Sequence, residues 1–189
     1  MFVWSDKFET KINIVDAQHK KLVALLNKLF ASLDSGDISE EKLDNILHEL
    51  LEYSNKHFID EEMLMMEYKL DDKHRSIHRM EHLSFIYDTK RMRSRMNADE
   101  SISEITQKVA EFVTSWLTFH ILGMDQIMAR QIAAIHHGMT PEQANETNKT
   151  THLDAATSHM LLESIMQMWR KSTERCYKLE EKLAELAKD

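Results

Sequence analysis

The sequence predicts an all-α fold, a helix bundle with an extended N-terminal arm and a long helical C-terminal extension. Three observations point there. Only three Gly and one Pro punctuate 189 residues, which favours long uninterrupted helices. Apolar residues recur at steps of three and four through successive segments, the period of a half-buried helix. Histidines and carboxylates also recur at that spacing: His57 with Glu61, and His78 with His82. Residues four apart on a helix stand on one face, so each pair aims two ligand-type side chains at one spot.

The totals narrow the class. A formal net charge of −8 argues against a general nucleic-acid binder. A single Cys, Cys176, excludes an internal disulfide framework. The start MFVWSDKFETK lacks a basic region followed by an apolar run, and no apolar run approaches the ~20 residues that span a bilayer. A cytoplasmic protein without a membrane partner is expected. Eleven His is high for this length, and their placement is informative.

Residues 1–15 read as an extended arm, with Trp4 and Phe8 as a lid over one end of the bundle. The first helix is expected from Asp16, as N-cap, to about Leu33, with Leu22, Leu25, Leu26, Leu29 and Leu33 as its stripe. His19 lies three before Leu22 and shares that stripe. A lone buried His is more often a hydrogen-bonded core residue than a ligand. Gly36 stops this helix, and Asp37 or Ser39 starts the next. The second helix runs to about Glu67, and His57 and Glu61 continue its inward stripe from Leu47, Leu50 and Ser54. An inward carboxylate is costly unless paired or bound to metal; the blander reading places Glu61 in the solvated run 60–62. Met63, Met65 and Met66 read as core filler.

The third helix, about Asp71 to Met96, carries His74, His78 and His82 at steps of four. Any adjacent two could form the pair; His78 and His82 are preferred because inward Phe85 follows His82 by three. Ile77, Met80 or Glu81, and Met92 are further facing positions, and RMRSR is a solvated face. NADES turns the chain, and Ser101-x-x-Glu104 is a capping box for the fourth helix. Its stripe runs Ile105, Val109, Phe112, Val113, Trp116, Leu117, His120. Asp125 follows at a step of five, which overshoots the facing line by about 140° on an ideal helix. A π-bulge, or a reach across to a bridging position, would correct that, and Gly123 would remove bulk there. Thr140-Pro141-Glu142-Gln143 restarts a short helix ending near Asn148. The last helix, about 151–188, alternates steps of three and four through Leu162, Ile165, Trp169, Ser172, Cys176, Leu179, Leu183 and Leu186. That is a heptad seam, weakened in its middle by Ser172 and Cys176. It favours pairing with a second copy over folding back on its own bundle.

Together His19, His57, Glu61, His78, His82, His120 and Asp125 offer five imidazoles and two carboxylates from four helical segments. Such a shell, without thiolate, suits divalent iron, manganese or zinc. Seven ligands are too many for one tetrahedral zinc and suit two ions with the carboxylates bridging. Ferritin-type sites rely on Glu and Glu-x-x-His; this set is richer in His and poorer in anions. An oxo or hydroxo bridge, or bound peroxide, would supply the missing charge, favouring reversible oxygen binding over harsh oxidation.

The order His, His-x-x-x-Glu, His-x-x-x-His, His-x-x-x-x-Asp resembles the hemerythrin family, in its bacterial branch. The matching pieces are VWSDKFETKINIVDAQHKKL, HFIDEE, HRSIHRMEHLSF and WLTFHILGMDQIMA, covering about residues 2–135. The resemblance implies an up-down four-helix bundle with a non-haem di-iron centre that binds oxygen, its two irons bridged by carboxylates and an oxo or hydroxo group. By motif, His78, His82 and His120 would ligate one iron. His19 and His57 would ligate the other, leaving a position open for oxygen, and Glu61 and Asp125 would bridge. The extra His74 also allows a His74/His78 frame, but HRMEHLSF resembles the family's His-x-x-Glu-His-x-x-Phe.

The expected division is therefore a di-iron bundle over 1–138 and a short helix plus a coiled-coil-like signalling linker over 139–189. IHHGMTPEQAN followed by a long helix resembles hemerythrin modules joined to diguanylate cyclase (GGDEF) domains or chemotaxis receptors. The expected function is an oxygen or redox sensor module, not itself an enzyme, acting as a homodimer through its C-terminal helix on an output domain beyond Asp189. An oxygen carrier or store is the alternative. Peroxidase or oxidase activity ranks last, since no proton-shuttling group beyond the ligands stands out.

Overall fold

The computed structural model describes residues 1–94, 101–148 and 154–186. A short 3-10 turn, Asp6–Phe8, leads to α1 (Asn13–Ser35), α2 (Glu40–Glu67), α3 (Asp72–Ser94) and α4 (Ile102–His120). A π-helical segment, Ile121–Asp125, continues α4 without a break into α5 (Gln126–His136); α6 (Pro141–Thr147) and α7 (Ala155–Leu186) follow. Helices α1 to α4 form an up-down bundle in which α1 packs on α2 and α4, and α3 packs on the same two. The described residues contain no strand. The expected end of the third helix at Met96, most of the NADES turn and the expected start of the last helix fall outside the described residues.

Local chemistry sets the ends. Gly36 closes α1 at φ 67, donating its N–H to Leu33 O; the left-handed region costs a Gly little. Ser39 caps α2 by accepting from Lys42 N. Both capping boxes are present, Ser101 with Glu104 and Thr140 with Gln143. The start of α1 departs from expectation. The helix begins at Asn13, and Asp16 caps from inside it, accepting from Thr10 N at 2.7 Å and Lys11 N at 3.1 Å. The carboxylate thus ties the arm to the first turn.

Two apolar clusters fill the bundle. The larger is built from Leu22, Leu25, Leu26 and Leu29 of α1, Leu43 to Leu50 of α2, Phe85, and the α4 stripe from Ile105 to Leu117. The smaller joins Val15, Met65, Leu70, Met128 and Ile132. Along each helix the expected ligand positions fall between the two: His19 between Val15 and Leu22, His57 and Glu61 between Leu50 and Met65, Asp125 between Leu122 and Met128. A polar layer is therefore enclosed by apolar layers above and below. Of the three methionines read as filler, Met65 alone is buried, while Met63 and Met66 face out. Ile77 and Met80 are likewise exposed, because the inward line of α3 runs through His74, His78, His82 and Phe85. No described helix is long and apolar enough to cross a membrane.

Helix α7 lies on α4. Its inner face holds Met160, Leu161 and Met168 against the main cluster, buries Thr157 and Ser164, and sets Ser115 Oγ 2.6 Å from Gln167 Oε1, to which it donates. The helix thus does fold back on the bundle, the arrangement the sequence made second choice. It does so through a different face from the heptad seam, whose Leu162, Trp169, Leu179, Leu183 and Leu186 stay exposed.

Candidate metal centre

The structure brings all seven expected residues together, none more than 2% exposed. Their ligand atoms form two groups, Glu61-His78-His82-His120 and His19-His57-Glu61-Asp125, each within 4.8 Å and each able to hold a metal ion. His74 belongs to neither group; it is buried one turn away, its ring 5.6 Å from that of His78.

Each helix contributes through its register. His57 and Glu61 sit one turn apart on α2, with Nε2 and Oε1 at 3.5 Å. The π segment corrects the five-residue step after His120, since its i→i+5 turn returns the fifth residue to the facing line. His120 Nε2 and Asp125 Oδ1 consequently lie 3.2 Å apart. Gly123 serves no need for space, because a Cβ there would meet nothing within 4 Å.

The two carboxylates stand between the groups. Glu61 turns Oε1 to His19 and His57, at 3.8 and 3.5 Å, and Oε2 to His78 and His82, at 3.4 and 3.2 Å. Asp125 turns Oδ2 to His19 at 3.0 Å, and Oδ1 to His78 and His120, both at 3.2 Å. Among the imidazoles, His120 Nε2 is 3.2 Å from His78 Nε2 and 3.1 Å from His82 Nε2. Ligands ~2.1 Å from one ion and at right angles to each other lie about 3 Å apart. The convergent nitrogens have the spacing of ligands to a common cation.

The charges make the same point. Glu61 and Asp125 are fully enclosed, with both oxygens of each lacking a hydrogen-bond partner. No Lys or Arg reaches them among the described residues. Two enclosed anions are strongly unfavourable without compensating cations. Burial works to raise both carboxyls, but the surrounding imidazoles hold them well below the usual carboxylate range. Burial pushes His57 down to about 4 and His82 down to about 3. At His78 burial also acts downward, but Asp125 and Glu61 prevail and raise it to about 9. A neutral imidazole beside an ionised carboxylate is the ligand-ready state. Two divalent cations fit this donor set.

Outer contacts orient the rings, and sequence spacing missed them. Gln18 Nε2 donates to Asp60 Oδ2 at 2.6 Å, which leaves Gln18 Oε1 to accept from His57 Nδ1 at 2.9 Å. That fixes the proton on Nδ1 and the lone pair on Nε2, facing the centre. Phe58 stacks on His82 at 3.9 Å and Trp116 on His120 at 4.2 Å. The arm covers the His19 end: Trp4 packs 5.6 Å from Phe8 and 6.2 Å from His19, as a lid would. Gln18 neighbours His19 in sequence, but its partner lies 39 residues away on another helix, beyond any periodic pattern.

Comparison with known proteins agrees. The family model for the hemerythrin HHE cation binding domain matches residues 10–132. A bacteriohemerythrin of Clostridium acetobutylicum is 32% identical over 128 residues, 67% of this chain and 97% of that protein. One from Stenotrophomonas maltophilia is 30% identical over 136 residues, 71% of this chain and 83% of that protein. One from Aquifex aeolicus is 28% identical over 118 residues, 62% and 87% of the respective chains. With the matched domain coinciding with the bundle that encloses the two ligand groups, each able to hold a metal ion, the chain belongs to the hemerythrin family, in its bacterial branch, as a di-iron, oxygen-binding protein.

Proposed function

We propose that this chain is an oxygen and redox sensor module. In this reading His78, His82 and His120 ligate one iron, His19 and His57 the other, and Glu61 and Asp125 bridge them. The assignment is supported by each carboxylate turning one oxygen toward each group. When bound, the iron pair supplies oxygen binding and a change of oxidation state. The chain's own residues keep five imidazoles oriented, hold two carboxylates ionised and exclude water with apolar layers on both sides. In this reading the module is a binding protein and not an enzyme.

The observation that carries the sensor reading is Trp116. Its ring stacks on His120 at 4.2 Å, and it lines a 270 Å³ cavity together with Met168 and Ser172 of α7. One ring therefore separates a metal ligand from the C-terminal helix. The same reading takes residues 1–138 as the metal-binding bundle and 139–189 as a signalling linker. Its partners are molecular oxygen, a second copy through α7, and a diguanylate cyclase-type (GGDEF) output domain or receptor, all in the cytoplasm.

The test is amide hydrogen exchange of residues 155–170 in the iron-loaded chain, reduced under argon and again after exposure to air. A coupling of about 1 kcal/mol or more changes exchange there at least ~5-fold between the two states. Equal exchange would sink the sensor and leave the oxygen carrier or store.

A further inference from the structure

Asp60, Glu61 and Glu62 stand in a row on α2, and only the middle carboxylate lies in the metal centre. At 100° per residue the outer two turn to opposite sides of Glu61, and α2 packs on α1 and on α3. Asp60 accordingly reaches α1, accepting from Gln18 Nε2 at 2.6 Å. Glu62 reaches α3, where its Oε1 accepts from His82 Nδ1 at 3.5 Å and its Oε2 lies 3.8 Å from Arg79 Nε. The two contacts are unlike. Behind the His57 ring stands the neutral amide of Gln18, with the Asp60 carboxylate one residue further out. Behind the His82 ring stands a carboxylate directly. The Nδ1 atoms of His19, His78 and His120 are enclosed and have no hydrogen-bond partner among the described residues. One imidazole in each ligand group is therefore held from behind, one by an amide and one by an anion.

We infer that Glu62 is a positioning residue that makes the two metal sites unequal. Through His82 it favours the ferric state of the iron held by His78, His82 and His120 over that of the iron held by His19 and His57. The inference rests on the ligand assignment proposed above and not on the sensor role. The physical reason is the pull on the ring proton. A carboxylate that accepts from Nδ1–H draws that proton toward itself and leaves Nε2 a stronger donor. A stronger donor and a nearby negative charge both favour the ion of higher charge. The Gln18 amide fixes its ring equally well but brings no net charge. The consequence is an order of electron uptake. With both irons ferric, the first electron goes to the iron of His19 and His57, and the second to the iron of His78, His82 and His120.

The experiment is a potentiometric titration of the iron-loaded full chain, followed by visible absorbance, in the parent, Glu62→Gln and Asp60→Asn. Glu62→Gln keeps the size of the side chain and an acceptor for His82 but removes the charge. Losing an outer partner of a ligand His is worth about 10–100-fold. A tenfold loss of preference for the ferric ion raises a one-electron potential by about 59 mV. The parent should take up two electrons in two steps. In Glu62→Gln the lower step should rise by about 59 mV or more and the upper by less than half as much, with two irons still bound. Asp60→Asn removes an equal charge on the other side of α2 and should leave the lower step in place. Parent-like potentials in Glu62→Gln would show that Glu62 only orients the ring, and overturn the proposal. An equal rise of both steps does the same, as does a rise of the lower step in Asp60→Asn as large as in Glu62→Gln. Loss of iron from Glu62→Gln also overturns it, since Glu62 would then retain the metal and not tune it. Fewer than two irons in the parent refutes the ligand assignment itself, so the two failures are read apart.

Discussion

Gln18→Leu removes the acceptor for His57 with little change in volume. The effect depends on whether metal is bound. With iron bound, His57 Nε2 must offer its lone pair, so the ring proton sits on Nδ1, 2.9 Å from Gln18 Oε1. In the variant that N–H is enclosed without an acceptor, at a cost of about 1–3 kcal/mol. Without iron the imidazole escapes by moving its proton to Nε2, toward the enclosed carboxylates. The loss therefore falls on the iron-bound state and weakens binding about 5- to 150-fold, in the range found for groups that orient metal ligands. It falls unequally, because among the described residues the Gln18 side chain hydrogen-bonds to His57 and Asp60 while His78, His82 and His120 keep their contacts. The assay is iron removal by a chelator at pH 7, followed by visible absorbance and by iron content per chain. The expected trace is biphasic, one iron leaving at least fivefold faster than in the parent protein and the other unchanged. Parent-like release of both irons, or equal acceleration of both, would refute the reasoning.

Further outcomes follow from the same geometry. In the metal-free chain, burial lowers His57 to about 4 and His82 to about 3, against ~6.5 unfolded. The unfolded chain then binds more protons between these values, so stability is full above ~6.5 and lost as pH falls toward 4 and 3. His78, raised to about 9, acts oppositely, stabilising fully below ~6.5 and less as pH rises to 9. Urea unfolding of the metal-free chain should therefore show maximal stability near neutrality, and a monotonic profile across pH 4–9 would contradict it. Iron loading at pH 7 must displace the His78 proton, so calorimetry in buffers of different ionisation enthalpy should register proton release. Lys69 closes α2 at φ 52, a conformation costing about 1 kcal/mol or more for a residue with a Cβ. Lys69→Gly should raise the Tm by ~2–4 °C, and a lower Tm would show that the Lys69 side chain matters more than its backbone. His74→Ala should retain two irons per chain, whereas His82→Ala should not; loss of iron from the first would restore the His74/His78 frame.

Much of the fold was legible because its signals are local. The two capping boxes depend on residues three apart, and Gly36 on one backbone angle. The π segment was legible from a contradiction: His120 and Asp125 both had to face inward, and five residues of α-helix do not allow it. Cross-helix contacts were not legible. Asp16 looked like a cap on its own helix, but its carboxylate accepts N–H groups from the arm before it, so α1 starts three residues early. Ile77 and Met80 looked inward because apolar residues usually do, yet α3 spends its narrow inward line on histidines. The seam of α7 was read from period alone, and period cannot say that a second, more polar stripe on the same helix docks on α4 through Ser115 and Gln167.

In the proposed sensor, the metal site and the surface that α7 covers share one helix, α4. Two carboxylates and five imidazoles interrupt a core that is apolar above and below, so the bundle is weakest where the site is. A cation pair makes that layer a source of cohesion between α1, α2, α3 and the α4–π–α5 rod. Any change in ionic charge alters the pull on His120 and Asp125, which lie at the two ends of the π segment. That segment departs from the α pattern of hydrogen bonds. In the proposed sensor, a shift there passes to Trp116, one turn before His120, and so to the face that α7 covers. A tail docked on α2 or α3 would not meet the ring that stacks on His120.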